Sequence, residues 1–226
     1  MKTLLKYLLG TAFLTWMLMA CKQDPPPKFH FEYFGMEDGR YIIYEATEIF
    51  HDNALGVHDT SIYQLKAVWG DVYIDNEGRQ GREYLLYKRA DASSPWISVD
   101  VWHGVIDGIR AELVEENERK VKLIFPPTID KEWDANAYTM LDEQLCYYRD
   151  IHGDTLINGI SYDSTLVVEQ SYEPSSLVGI DRQYEMYAKG IGLIYKYYKV
   201  NKYEIFNPIP QEGNELYLEI LESGFE

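Results

Sequence analysis

Short stretches in which apolar side chains recur at every second residue follow one another along most of this 226-residue chain, each ended by a turn signal. Tyr63, Leu65, Ala67 and Trp69 alternate with Gln64, Lys66 and Val68, and Ile97, Val99 and Val101 alternate with Ser98, Asp100 and Trp102. Val121, Leu123 and Phe125 follow the turn-prone Glu116-Asn117-Glu118, and Leu166–Val168, Gly192–Tyr195 and Leu216–Ile220 read the same way. A period of two places alternate side chains on opposite faces of a pleated strand, and tyrosine, valine and isoleucine suit such a surface. Between the runs lie Glu37-Asp38-Gly39, Asp75-Asn76-Glu77-Gly78, Asp107-Gly108, His152-Gly153-Asp154 and Asn158-Gly159. Short Gly/Asn/Asp turns join antiparallel neighbours, whereas parallel strands need long crossovers. The best helical candidate, Ala111–Val121, carries a charged block through its middle and reads better as two strands joined near Asn117. The expectation is an all-β fold: a strongly twisted antiparallel sheet curled into a half or full barrel. Apolar residues make up 46% of the chain and are spread throughout, so a packed core is within reach and general disorder is excluded. No linker and no internal repeat interrupts the stretch 29–226, which reads as one domain.

The first twenty residues have a different character. Lys2 and Lys6 are the only charges before Cys21, and residues 7–20 form an uncharged apolar run of 14 residues. As a helix this run spans about 21 Å, short of the roughly 30 Å hydrocarbon core of a bilayer. A basic start, a short apolar stretch and a small residue at the boundary describe a secretory signal peptide over 1–20, not a membrane span. Leu18-Met19-Ala20-Cys21 resembles the lipobox of bacterial lipoproteins. The resemblance implies that Cys21 is the lipidation site: its thiol receives a diacylglyceryl group, cleavage exposes its amine, and the amine is acylated. Two or three chains, at about 0.8 kcal/mol per buried methylene, hold a protein on a membrane far better than one. Residues 21–28 then form a lipidated tether, in which Pro25-Pro26-Pro27 favours extended backbone. Lys22 in place of an aspartate after the cysteine resembles the pattern of lipoproteins sorted to the bacterial outer membrane, while Cys21-Lys22-Gln23-Asp24 partly resembles a surface-export signal. Both a periplasmic and an outward orientation are compatible with it.

Several segments together resemble a group of outer-membrane lipoproteins of Bacteroidota. They are Phe34–Tyr44, Glu115–Pro126, Trp133–Asn136 and Tyr187–Lys196, in order along the chain. The resemblance implies a β-rich envelope lipoprotein, and the group supplies no catalytic residue to carry over.

None of the constellations that carry chemistry is complete. His51-Asp52 and His58-Asp59 would suit a transition metal, but no third cluster of ligands accompanies them, and Asn53 and Gly56 mark a hairpin loop. Asp71 and Asp75-Asn76-Glu77-Gly78 lack the ligand alternation and closing glutamate of a calcium loop. Gly159-Ile160-Ser161-Tyr162-Asp163 has Asp163 where a nucleophile elbow needs its second glycine. Cys146 sits between Leu145 and Tyr147 and reads as a buried thiol; no local signature pairs it with His152. Gly190-Ile191-Gly192 has no third glycine and no following helix, so it is not a phosphate loop. The neighbouring acids Glu115-Glu116 and Asp142-Glu143 match the needs of glycoside hydrolysis in residue type alone, since 37 acidic residues bring some together by chance. No cofactor and no metal is expected.

The formal net charge is −16, and removing residues 1–20 takes two lysines and no acid, leaving −18. That repels phosphate, and no basic stripe interrupts it, so nucleic acid is not an expected partner. Trp69, Trp96, Trp102 and Trp133, with the excess of tyrosine, would either cover cross-strand neighbours or line a site for a glycan or lipid-like ligand. The functional expectation is a non-catalytic binding or structural module anchored in the outer membrane. The alternative is an envelope hydrolase whose site is assembled only in three dimensions.

Overall fold

Twelve strands and a single 3₁₀ turn account for the regular structure of the computed structural model, which describes residues 28–173 and 177–226. The expected signal segment, Cys21 and the tether as far as Pro27 lie outside the described residues. The strands are β1 (Arg40–Asp52), β2 (Val57–Ile74), β3 (Gln80–Arg89), β4 (Ile97–Asp107), β5 (Arg110–Glu115) and β6 (Glu118–Ile124) in the first half. The second half holds β7 (Glu132–Asp134), β8 (Leu145–Ile157), β9 (Ile160–Glu173), β10 (Gly179–Ala188), β11 (Gly192–Tyr203) and β12 (Pro210–Phe225). All belong to one antiparallel sheet in the order β6-β5-β4-β3-β2-β1-β12-β11-β10-β9-β8-β7. Each half is a meander of sequential neighbours, as the short turns require. The halves join where β1 pairs with β12 from Arg40↔Phe225 to Asp52↔Glu212.

The expected curled antiparallel sheet is therefore what forms, and it is a nearly closed barrel. The expected break near Asn117 is also found: Glu116 and Asn117 turn with φ of 49° and 67° between β5 and β6. Alternation located the strands but not always their apolar faces. Ile97, Val99 and Val101 are exposed on β4, with Val101 beside Leu85 of β3.

The barrel closes without an ordinary ladder between its edge strands. The Val121 N–H on β6 donates to the Ala135 carbonyl just beyond β7 (2.9 Å), and the Trp133 indole N–H donates to the Val121 carbonyl (2.9 Å). The fully buried Tyr148 of β8 does the rest: its hydroxyl donates to the Ile124 carbonyl (2.7 Å) and accepts from the Ile124 N–H (2.9 Å). One phenol thus satisfies both backbone groups that a neighbouring strand would otherwise take.

Because neighbours alternate in direction, the turns after β1, β3, β5, β9 and β11 lie at one rim and those after β2, β4, β8 and β10 at the other. The chain enters at the second rim, which Phe29–Met36 plugs. Phe31 packs edge-on against Phe125 at 4.9 Å, the Gly190 N–H donates to the Glu32 carbonyl, and Tyr33 and Phe34 are buried in the core. Gly35 fits only as glycine: its φ is +67°, and a Cβ would stand 2.2 Å from the Ile191 carbonyl oxygen.

Tyr148→Phe should lower stability by about 1–3 kcal/mol, because two buried backbone groups at Ile124 lose their partner together. Tyr41→Phe, whose hydroxyl meets Glu222 at the surface, should cost under about 1 kcal/mol. Urea unfolding of both variants checks this, and equal losses would show that the seam does not depend on Tyr148.

Candidate functional site

The lumen is lined by every second residue of the strands around it, and four rings form a ladder along it. Phe34 of the plug lies 5.3 Å from Trp69, Trp69 lies 4.3 Å from Tyr84, and Tyr84 lies 6.4 Å from Trp102. Gly104 makes room for the Trp69 ring, since a Cβ there would lie 2.4 Å from it. The ladder, together with Tyr44, Leu193 and Leu218, lines a chamber of about 120 Å³. It adjoins a wider vestibule of about 710 Å³, and Trp102, Glu115, Lys196 and Leu216 line both. The vestibule includes the turn at Glu116, so it lies at the rim opposite the plug.

One wall of the chamber is charged. Glu185 of β10 is fully buried, and its Oε1 lies 2.9 Å from Lys122 Nζ of β6 and 3.4 Å from Lys196 Nζ of β11. Lys122 also reaches Glu115 of β5 at 3.2 Å, and the Tyr187 hydroxyl donates to Glu185 Oε2 at 2.6 Å. Two ammonium groups and two carboxylates therefore form a neutral chain across the lumen. Burial alone would raise the Glu185 carboxyl, but Lys122, Lys196 and Tyr187 outweigh it and hold the group at about 2. Burial would likewise discharge Lys122, yet Glu115 and Glu185 keep its ammonium well above the ordinary lysine range. Tyr187 is pushed up by burial and by Glu185, so it keeps its proton and donates it.

The residues singled out by sequence are mostly placed elsewhere. His51 and His58 lie in the strands and not in the loop expected for them; they face each other across β1 and β2, Nδ1 to Nδ1 at 3.0 Å, with His51 Nε2 3.5 Å from Glu215. Among the described residues, no group of three or more His, Cys, Asp or Glu side chains is placed to hold a metal. Asp75 closes its own turn by accepting from the backbone N–H groups of Glu77 and Arg79. Ser161 pairs with Leu156 in the β8–β9 hairpin, whose turn is Asn158-Gly159. Cys146 is buried, its thiol pushed up to about 12 chiefly by burial, while His152 bonds to the Tyr33 hydroxyl at 2.7 Å. Of the tryptophans, Trp69 and Trp102 line the chamber, Trp133 belongs to the seam, and Trp96 lies under the Arg89 guanidinium at 4.1 Å. Of the paired acids, Glu115 and Glu116 reach the vestibule, and Asp142 and Glu143 are exposed in the loop before β8.

Sequence reasoning passed over Lys122, Glu185, Tyr187 and Lys196. A lysine between Val121 and Leu123 and a glutamate between Tyr184 and Met186 are the available signals, each a charge between apolar neighbours in a strand that carries other charges as well. Nothing in the sequence joins two residues 63 positions apart.

No family model matches the chain, and no curated protein matches it. Among solved structures, an inferred lipoprotein from Parabacteroides distasonis ATCC 8503 aligns over 88% of this chain and 100% of its own, at 10% identity and a TM-score of 0.43. An inferred exported protein with a YmcC-like fold, from Bacteroides fragilis NCTC 9343, aligns over 82% of this chain and 97% of its own, at 12% identity and a TM-score of 0.40. Alignments at this level give no residue of this chain a role.

The low Glu185 value has a consequence for acid stability. A carboxyl held below its ordinary 4.5 stabilises the fold above that pH, and the contribution is lost as pH falls toward about 2. Unfolding free energy should therefore drop by up to about 3 kcal/mol between pH 5 and pH 2 through this group. Glu185→Gln should be less stable at pH 7 and show a shallower loss on acidification. Urea melts across that range test it, and an acid limb unchanged in the variant would remove Glu185 from the account.

Proposed function

We propose that this chain is a lipoprotein of the bacterial outer membrane, anchored through an acylated Cys21, whose barrel binds a small ligand and catalyses no reaction. The chamber carries the binding part of this reading: a concave, mostly apolar space with a few convergent polar groups and an open approach is the usual form of a ligand site. A purely structural module would have no need to keep that space open beside a buried ion chain. The anchoring part is supported by the Leu18–Cys21 lipobox and the signal-like residues before it.

The hydrolase alternative has the weaker support. Glycoside hydrolysis asks one carboxyl to hold a proton near neutral pH and another to stay charged. Glu115 is ion-paired to Lys122, and Glu215 is held low, against the pull of burial, by Tyr217, Lys199 and Asn201. Both of these carboxylates serve as charge partners of lysines.

Mass spectrometry of the mature protein should find residues 1–20 absent and acyl mass on Cys21, and Cys21→Ala should leave an unlipidated, mislocalised precursor. Recovery of an unmodified Cys21 in membrane-free mature protein would sink the anchor. For the binding role, native mass spectrometry of gently purified protein should reveal a co-purified small molecule. A ligand-free protein whose tryptophan fluorescence ignores a glycan and lipid panel would leave only a supporting role.

A further inference from the structure

We propose that the chamber and vestibule form one two-part site for a neutral, hydroxyl-bearing amphiphile, an assignment that rests on the binding role proposed above. A short apolar end of the ligand fills the chamber, and a single sugar-like ring occupies the vestibule against Trp102.

Size sets the apolar end. The chamber measures about 120 Å³. An engineered apolar cavity of roughly 150 Å³ takes up benzene, so four to six carbons are about what this space admits. Phe34 and Trp69 close it toward the plug, which leaves a long acyl chain nowhere to continue.

Charge sets the head. Glu48, Glu115, Glu116, Glu118 and Glu215 line the vestibule against Lys120 and Lys196, and with the paired Lys199, Lys122 and Glu185 counted the excess is two negative charges, which repels a sulfate, phosphate or carboxylate head. The vestibule carboxylates would attract a cationic head, but a ligand that fills the chamber places its first polar group at the junction, where a cation would meet the ammonium groups of Lys196 and, behind it, Lys122. At that junction each charge already has its counter-charge: Lys196 has Glu185 and Glu115 has Lys122. Each also keeps hydrogen-bonding capacity, because an ammonium has three donors and a carboxylate about four acceptor sites. Hydroxyl groups, which both donate and accept, fit that pair without disturbing the balance. Trp102 is half-buried and lines both spaces, offering the C–H face of a sugar an apolar surface where the two parts of the ligand would meet.

The test uses the mature lipoprotein in phosphatidylcholine nanodiscs, with empty nanodiscs as the blank, by calorimetry and tryptophan fluorescence. The probes are butyl, pentyl, hexyl and octyl β-glucoside, glucose, hexyl sulfate and hexylammonium. Affinity for the glucosides should rise about fourfold per methylene, the ratio equivalent to about 0.8 kcal/mol, and stop rising near hexyl. Hexyl sulfate and hexylammonium should bind at least tenfold more weakly than hexyl glucoside. Ala67→Phe, which fills the chamber, should abolish the chain-length dependence. Trp102→Ala should weaken hexyl glucoside about tenfold and keep the increment per methylene. If Ala67→Phe fails to fold by thermal unfolding, the chain-length series and Trp102→Ala decide alone. A charged probe matching hexyl glucoside would overturn the head assignment while leaving the binding role intact. Glucoside binding indifferent to chain length would overturn the use of the chamber, and binding of no probe would remove both.

Discussion

The lumen exists only because a sheet with two edges is made to meet itself. Open edges present unpaired backbone groups that invite another strand, so they must be paired or covered. Here β6 and β7 approach through one backbone bond, one indole and the Tyr148 phenol, which takes both the N–H and the carbonyl of Ile124. Side chains thereby replace ladder hydrogen bonds along a seam where β7 is only three residues long. The buried aromatics near it, Trp133, Tyr148 and Phe125, supply apolar contact that a ladder alone would lack.

Closure brings β6, an edge of the sheet, across the lumen from β10 and β11, and there the ion chain forms. Burying two lysines and two glutamates is costly, and such pairs are poor net stabilisers against well-packed apolar groups. Their effect is directional. Lys122 holds β6 to Glu185 of β10, Lys196 ties β11 to the same carboxylate, and the pairing distances fix how far apart these walls stand. The aromatic ladder on the facing wall then fills part of the lumen, and the remainder is the chamber. Ring packing and charge pairing thus set its dimensions together.

What could be read from the sequence divides along the same line. Strands, turns and antiparallel order follow from local patterns: the alternation at Tyr63–Trp69, the turn at Glu116-Asn117 and the hairpin at Asn158-Gly159 each carry their own signal. The site is non-local. Lys122 and Glu185 meet across the lumen, and a charged residue in a strand with several others looks the same whether it reaches solvent or a buried partner. The histidines show the converse: adjacency in sequence suggested a loop, whereas cross-strand register set His51 against His58. The exposed Ile97, Val99 and Val101 show that alternation cannot say which face turns inward once strands bulge, as β3 and β4 do between Leu86 and Tyr87.

The two rims of the barrel are unequal, and this gives the molecule a direction. The chain enters at the rim that Phe29–Met36 plugs, so the anchor proposed for Cys21 would be attached from that side. The vestibule opens at the other rim, roughly the length of the strands away. With β1 at 13 residues and about 3.3 Å per residue, that separation is on the order of 40 Å before strand tilt is subtracted. An anchored barrel standing on its plugged rim would present its opening away from the membrane that holds it. A ligand would then be met from the aqueous side, in keeping with a mouth lined by carboxylates and a chamber too small for a whole lipid chain.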